Sequence, residues 1–504
     1  MNQLPTELRA QICSILRDDN EIYTLRNIAL ICRAFEGPAL DSLWSVLPNG
    51  LSRLFRCVTN TCVAKEVKKG AVPEELDEEM ISDALWPRFF QHARRVRVLA
   101  FCDDYSPVGR DDGYHWSESS MLRLFKQKFP GDLIFPNLQE FISDGWAGGD
   151  TDSELVSWVI VPSIQKLRIT HSCTTIGTYS HYSLSALLQK PWKGLTSLHL
   201  YIPCEDCPAT SCLANALVCT VPPLQTLCVA GWTMSADTLL YVASWPALQE
   251  LLIDKLDPIE NELSRGSFHN VRKLTIQRSP LRSALAVIAA LSGSPVWSLT
   301  VNVDSPFSGT EFRALANLVN TSCSSNHLQY LRITDHPRGN GWLDPSTPPT
   351  LLLDPLFSFS KLVAVYISVK PTILLNHRTL ASIASSWPNL WLLKITNPRR
   401  TRALSNLHDL LLFAKHCRDL KYLDIGTLSS SCVRESRGVV PLRTAPHQNL
   451  QTLCLNSTTT YDVDFVAKYL YSVFPRLRGL IPLCEGSQWD EVSWTAMERE
   501  LGLA

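Results

Sequence analysis

A six-residue pattern, apolar-x-x-apolar-x-apolar, returns along most of this chain and restricts what it can fold into more than any other feature. It reads Ile164-x-x-Leu167-x-Ile169, Leu195-x-x-Leu198-x-Leu200, Leu224-x-x-Leu227-x-Val229, Leu248-x-x-Leu251-x-Ile253, Val271-x-x-Leu274-x-Ile276 and Val296-x-x-Leu299-x-Val301. Leu328, Leu362, Leu390, Leu420 and Leu450 open five further copies, with weaker ones at Leu138 and Leu477. Successive openings lie 23 to 34 residues apart, a mean of about 28, which is the range of coil-by-coil repeat architectures. In such an array each unit buries its apolar side only against its neighbours, so 504 residues need not divide into several ordinary domains.

Alternation in the second half of each hexamer makes a short strand with two side chains turned inward and their neighbours outward. A helix follows in many units. Leu239, Leu240 and Val242 draw a helical stripe in one and Leu407, Leu410, Leu411 and Phe413 in another, and Trp-Pro, Val-Pro, Phe-Pro or Asn stops the helix before the next strand. The expected fold is α/β: parallel strands stacked on a concave face, helices on the convex one, wound as a right-handed solenoid of about 13–14 leucine-rich-repeat-like units over residues 84–504. Most units lack the asparagine that regular leucine-rich repeats place after the strand, so the repeats are degenerate.

The first 47 residues read differently. Leu8, Ile12, Ile15 and Leu16 give one face of a helix opened by Pro5; Asp18-Asp19-Asn20 interrupts; Ile22, Leu25, Ile28, Ala29 and Cys32 give a second helix. Gly37-Pro38 should interrupt again, ahead of a short third helix with Leu40, Leu43 and Trp44. Three helices in about 40 residues make a marginal core that gains from docking onto something. Residues 48–83, with Lys65, Lys68 and Lys69 followed by Glu74, Glu75, Asp77, Glu78 and Glu79, read as a linker or exposed helices with solvated faces.

The N-terminal blocks resemble a known family. Leu4-Pro5-x-x-x-Leu8-x-x-x-Ile12-x-x-x-Leu16, then Ala29-Leu30-Ile31-Cys32-Arg33-Ala34-Phe35, then Pro38-Ala39-Leu40-x-x-Leu43-Trp44 are similar in order and spacing to an F-box, especially to the F-box-like proteins of mushroom-forming fungi, which often also carry an aromatic residue followed by Ala-Arg-Arg-Val-Arg, here at 93–97. The resemblance implies docking on a Skp-family adaptor and through it on cullin and RING proteins, with Leu4, Pro5, Leu8, Ile12, Leu16, Leu25, Ile31 and Trp44 forming or bracing the docking face. Two features depart from the pattern: only three residues precede Leu4, and the link between the first two helices is polar and acidic.

The repeat leucines are core, so information about partners rests with the outward strand positions. Lys166, Arg168, His199, Tyr201, Glu250, Asp254, Lys273, Tyr330, Arg332, Tyr366, Lys394, Tyr422 and Asp424 mix tyrosines with both signs of charge, which suits a protein or peptide surface. A small-ligand pocket would call for clustered cations, and in the sequence these are scattered. A net charge of −1 lacks the basic footprint that nucleic acid requires. No window of 18 uninterrupted apolar residues and no leader-like segment occurs, so no membrane partner is expected and the cytosol or nucleus is the expected compartment. Sixteen cysteines are then expected to be free thiols. Cys204, Cys207, Cys212 and Cys219 are spaced wrongly for a zinc knuckle, and His171, Cys173 and His181 are spread through a Ser/Thr-rich stretch, so neither a metal nor another cofactor is expected. Phosphate-cradling loops, nucleophile elbows and zinc-protease helices are absent from the sequence, so the chain should not itself be an enzyme. Two functions stay open: substrate receptor of an SCF-type ubiquitin ligase, or a non-ligase leucine-rich-repeat scaffold or inhibitor with a helical N-terminal cap.

Overall fold

The computed structural model describes residues 4–48, 54, 85–102, 125–146 apart from 126 and 130–132, 159–171, 184–202 apart from 186, 208–259, 263–335, 353–396 apart from 371, 372 and 374, 407–427, 446–456 and 463–481. It is α/β, in two compact units, residues 1–255 and 256–504.

The first unit opens with α1 (Thr6–Asp18), α2 (Ile22–Ile31) and α3 (Arg33–Ser45). Asn20 makes the turn between α1 and α2 at φ 61°, a left-handed conformation that asparagine tolerates better than most residues. The second break differs from expectation. It falls at Cys32, whose backbone is extended, and α3 runs straight through Gly37-Pro38. Pro38 has no N–H to give the carbonyl of Ala34, one turn back. The Arg9 guanidinium of α1 donates to that carbonyl instead, at 2.5 Å. A tertiary contact thus replaces the helical bond the proline removes.

The strands β1 (Val46–Leu47), β2 (Val98–Cys102), β3 (Glu140–Trp146), β4 (Lys166–His171), β5 (Ser197–Tyr201), β6 (Thr226–Met234) and β7 (Glu250–Leu256) follow, neighbours in sequence order, parallel from β1 to β6. The sequence reading missed β1: Leu47 pairs with Leu99, so the N-terminal segment joins the same ladder as the repeats. In the second unit β8 (Lys273–Ser279), β9 (Ser298–Val303), β10 (Tyr330–Asp335), β11 (Ala364–Ser368), β12 (Leu392–Thr396), β13 (Tyr422–Thr427), β14 (Thr452–Asn456) and β15 (Gly479–Ile481) repeat the scheme, again parallel and in order.

The register explains the hexamer. Leu274, Leu299, Leu331, Val365, Leu393, Leu423 and Leu453 stand side by side across adjacent strands, all fully buried. Helices close the coils, several with caps written locally: Ser308 and Glu311 form a capping box before Gly309–Ser322, and Ser235 and Asn376 accept from the third residue of their helices. The asparagine missing after the strands has a counterpart before them. Asn137, Asn389 and Asn449 donate to the carbonyls of Arg94, Ser360 and Arg418, each in the preceding repeat, at 2.8, 3.2 and 2.9 Å. The expected linker at 48–83 lies almost wholly outside the described residues.

Candidate functional site

Eleven large hydrophobic side chains are exposed among the described residues, and six of them, Leu8, Ile12, Ile15, Tyr23, Leu30 and Ile31, fall within the first 31 positions at 38–84 % exposure. On α1 they lie at i, i+4 and i+7, a single stripe. The helices keep a separate small core of Cys13, Leu25, Phe35 and Ala39, with Leu4, Leu16, Ile28, Ala29, Cys32 and Leu43 packed against it. Two apolar stripes therefore run along α1, about 100° apart: Cys13 and Leu16 toward the core, Leu8, Ile12 and Ile15 toward solvent.

This divides the expected docking residues. Pro5, Leu8, Ile12 and Ile31 are exposed. Leu25 is fully buried, and Leu4 and Leu16 pack on the helical core, so these three brace the surface instead of presenting it. Trp44 is half-buried and stacks on His92, with ring centroids 4.3 Å apart. His92 belongs to the helix Trp86–Ala93, so Trp44 too is a brace. Tyr23, Leu30 and Ile15 were missed as surface residues; the signal available was the i, i+7 spacing of Tyr23 and Leu30 and the second stripe of α1.

The outward face of the repeats is uneven. In the first unit Lys166, Arg168 and Tyr201 are exposed, and His199 and Glu250 half-buried. Lys166 reaches Glu140 at 3.8 Å, and His199 lies 3.1 Å from the Ser197 hydroxyl. Asp254 is corrected: it is buried, and its carboxylate accepts the Gly231 N–H at 2.7 Å, which holds a glycine at φ 84°. Burial pushes its pKa up, while the bond from Gly231 and the nearby Lys255 act against that. It braces one strand end on the next and is no surface contact.

In the second unit Lys273, Tyr330, Arg332 and Tyr422 are half-buried. Tyr366 and Lys394 retain only 5 % exposure and Asp424 none, so the exposure expected of these three is corrected as well. The cause is lateral packing. Arg332, Tyr366, Lys394 and Asp424 are consecutive partners across β10 to β13. The Arg332 guanidinium sits 4.9 Å and the Lys394 ammonium 5.0 Å from the Tyr366 ring centre, two cation–π contacts on one ring. Tyr330, Trp391 and Tyr422 pack around Ala364, Tyr366 and Leu392 beside them. Cations scattered in the sequence are thus gathered by the register.

Cys13, Cys32, Cys212, Cys219, Cys228, Cys323, Cys417 and Cys454 are free thiols, and burial pushes Cys323 and Cys417 up to about 12. Among the described residues no group of His, Cys, Asp or Glu could hold a metal, and no helix is long and apolar enough to cross a membrane. Cys173, His181, Cys204 and Cys207 lie outside the described residues. No family model matches the sequence and no curated protein matches it; the resemblance to an F-box rests on the quoted residues themselves.

Proposed function

We propose that this chain is a non-catalytic substrate receptor of an SCF-type ubiquitin ligase. Its N-terminal helices dock on a Skp-family adaptor, which links it to cullin and RING proteins, and its repeats hold a protein substrate. The observation that carries the reading is the concentration of exposed aliphatic and aromatic side chains on α1 and α2, in the segment whose sequence blocks resemble an F-box. Monomeric surfaces seldom leave such side chains together unless something covers them, and a partner that buries a few anchors gains most of its affinity there. The scaffold alternative, with these helices as a cap, explains the core of Cys13, Leu25, Phe35 and Ala39 equally well but leaves the outer stripes without a purpose.

The test is capture of a Skp-family adaptor by the full chain and by the Ile12→Asp, Ile31→Asp double variant. Ile31 keeps 84 % and Ile12 38 % of its surface in solvent, so melting should change far less than capture. Loss of two anchors at about 2 kcal/mol each would weaken capture by hundreds-fold. Equal capture by both proteins, or none by the unaltered chain, gives the function to the scaffold reading.

A further inference from the structure

We propose that the cleft between α3 and the helix Trp86–Ala93 receives a short acidic segment of a partner protein. An aliphatic or aromatic side chain of that segment settles against Phe90 and Leu133 while its neighbouring carboxylate meets Arg94. The inference goes beyond the receptor reading and needs neither the adaptor surface nor the strand face.

The Ala-Arg-Arg-Val-Arg stretch at 93–97 has no part in the exposed stripes of α1 and α2, yet Arg94 and Arg95 line a cleft of about 1060 Å³. Pro87, Phe90, Gln91 and Arg94 reach it together because their i, i+3, i+4, i+7 spacing puts them on one helical face. Pro87 and Phe90, with Leu133 and Pro136 from the turn before β3, make its walls apolar. Leu133 keeps 49 % of its surface in solvent, an exposed aliphatic side chain that the N-terminal stripes do not account for. Phe90 is fixed by edge contacts with Phe89, Phe125 and Phe129, so this wall is formed in advance and costs little entropy to order on binding. Pro87, Gln91, Arg94 and Leu133 are all exposed, which leaves the rim open. Small ligands are usually enclosed over most of their surface; an open cleft suits a chain segment that enters and leaves it.

The charges that line the cleft select the guest. Arg95 donates to the Asp41 carboxylate and, at 3.3 Å, to the Gly37 carbonyl, so one cation and one anion already hold each other. Arg94 is exposed, and its guanidinium has no such partner among the described residues. Asp41 is the one carboxylate among the described residues lining the cleft; Glu36, beside Gly37, does not line it. The cation left over favours a carboxylate and is hostile to a lysine or arginine in its place, and an arginine–carboxylate bond is of the strong, charge-assisted kind. Room for the apolar side chain extends to the backbone of α3, because the Cβ of a larger residue at Gly37 would meet nothing within 4 Å. Aromatic walls and an arginine are also the residue types that anchor protein interfaces.

The experiment measures fluorescence anisotropy of four labelled peptide pools against the full chain, each degenerate except for a central Leu-Glu, Leu-Gln, Leu-Lys or Ser-Glu pair. Leu-Glu should bind about tenfold tighter than Leu-Gln or Ser-Glu, with Leu-Lys weakest, and added salt should narrow the gap to Leu-Gln. Arg94→Gln removes the exposed cation and should cost Leu-Glu about tenfold while leaving Leu-Gln unchanged. Gly37→Leu fills the cleft from a helix interior, where leucine is favoured over glycine, so it should erase the advantage of Leu-Glu over Ser-Glu. Neither change removes a buried contact; both variants should melt no lower than the unaltered chain, and one that folds suffices. Hexanoate, a carboxylate with an apolar tail, serves as competitor. If it displaces the Leu-Glu pool at equal concentration, the cleft belongs to a small molecule and the segment is overturned. Equal binding of all four pools, binding of none, or an unaltered preference in a folded variant overturns the proposal as well.

Discussion

Ile31 and Leu299 are aliphatic side chains of nearly equal size, yet Ile31 keeps 84 % of its surface in solvent and Leu299 none. The contrast runs through the molecule. Among the described residues the hexamers that open from Ile164 to Leu420 turn their apolar side chains inward, because a strand in a stacked ladder has two faces and one is covered by a helix or turn of its own coil. The N-terminal helices have too little chain to cover both apolar stripes of α1, so Cys13 and Leu16 go inside while Leu8, Ile12 and Ile15 stay outside. The same residue types therefore serve cohesion in one region and are left for a partner in the other.

The strongest way to break this comparison is to put a charge at each kind of position. Leu299→Asp removes a burial worth roughly 1.5–3 kcal/mol and strands a carboxylate among Leu274, Leu331 and their neighbours, where desolvation adds further cost. Cooperative thermal unfolding of the second unit, followed by circular dichroism, should be lost. Ile31→Asp should melt as the unaltered chain does. Normal melting of the first variant would mean that the strand register is wrong; destabilisation by the second would mean that Ile31 is core.

A smaller effect sharpens the helical side of the comparison. Arg9 gives α3 the hydrogen bond that Pro38 takes away, so Arg9→Ala leaves a partly buried carbonyl unsatisfied at about 1–3 kcal/mol. Pro38→Ala restores an N–H to Ala34 and should make the same Arg9→Ala change nearly silent. The quantity to measure is the coupling in this double-mutant cycle, from melting of the four proteins. Additive losses would assign Arg9 a role apart from Pro38.

What the sequence made legible follows the range of the forces involved. Hexamer spacing exposed the strands, their order and their inward residues, because alternation is local and each copy repeats it. The course of α3 through Gly37-Pro38 was hidden, since it depends on Arg9 from another helix; β1 was hidden because two residues after a helix carry no periodicity. Outward residues were named correctly by position but not by exposure. Tyr366 and Lys394 are closed over by side chains about one repeat away, and Asp254 is recruited by a neighbouring glycine. On α1 the spacing revealed amphipathicity, while the choice of which stripe faces inward came from packing against α2 and α3. Gly37, Phe90, Arg94 and Leu133 come together only in the folded chain, so their cleft leaves no trace in local spacing.

The gentlest test concerns the seam that joins the two regions. Trp44, at the end of α3, stacks on His92 of the helix Trp86–Ala93, and Arg97 donates its N–H to the Ser45 carbonyl at 2.8 Å. His92 is buried, its Nδ1 finds no partner, and burial, then Arg88, then Arg95 push its pKa below the usual histidine value of 6.5. The folded chain thus holds this ring neutral, whereas the unfolded chain takes up a proton near pH 6.5. Unfolded protein binds more protons in the window beneath that value, so the stability His92 contributes is full above about pH 6.5 and is lost as pH falls through the depressed folded pKa. Lowering the pH from about 7.5 to about 5 should loosen the seam, read as a fall in melting temperature. His92→Phe keeps an aromatic partner for Trp44 and removes the titration, so its melting should respond less to the same change. An identical response in the two proteins would place the acid sensitivity elsewhere, and a fall confined to the helical module would show that its core and the repeats unfold apart.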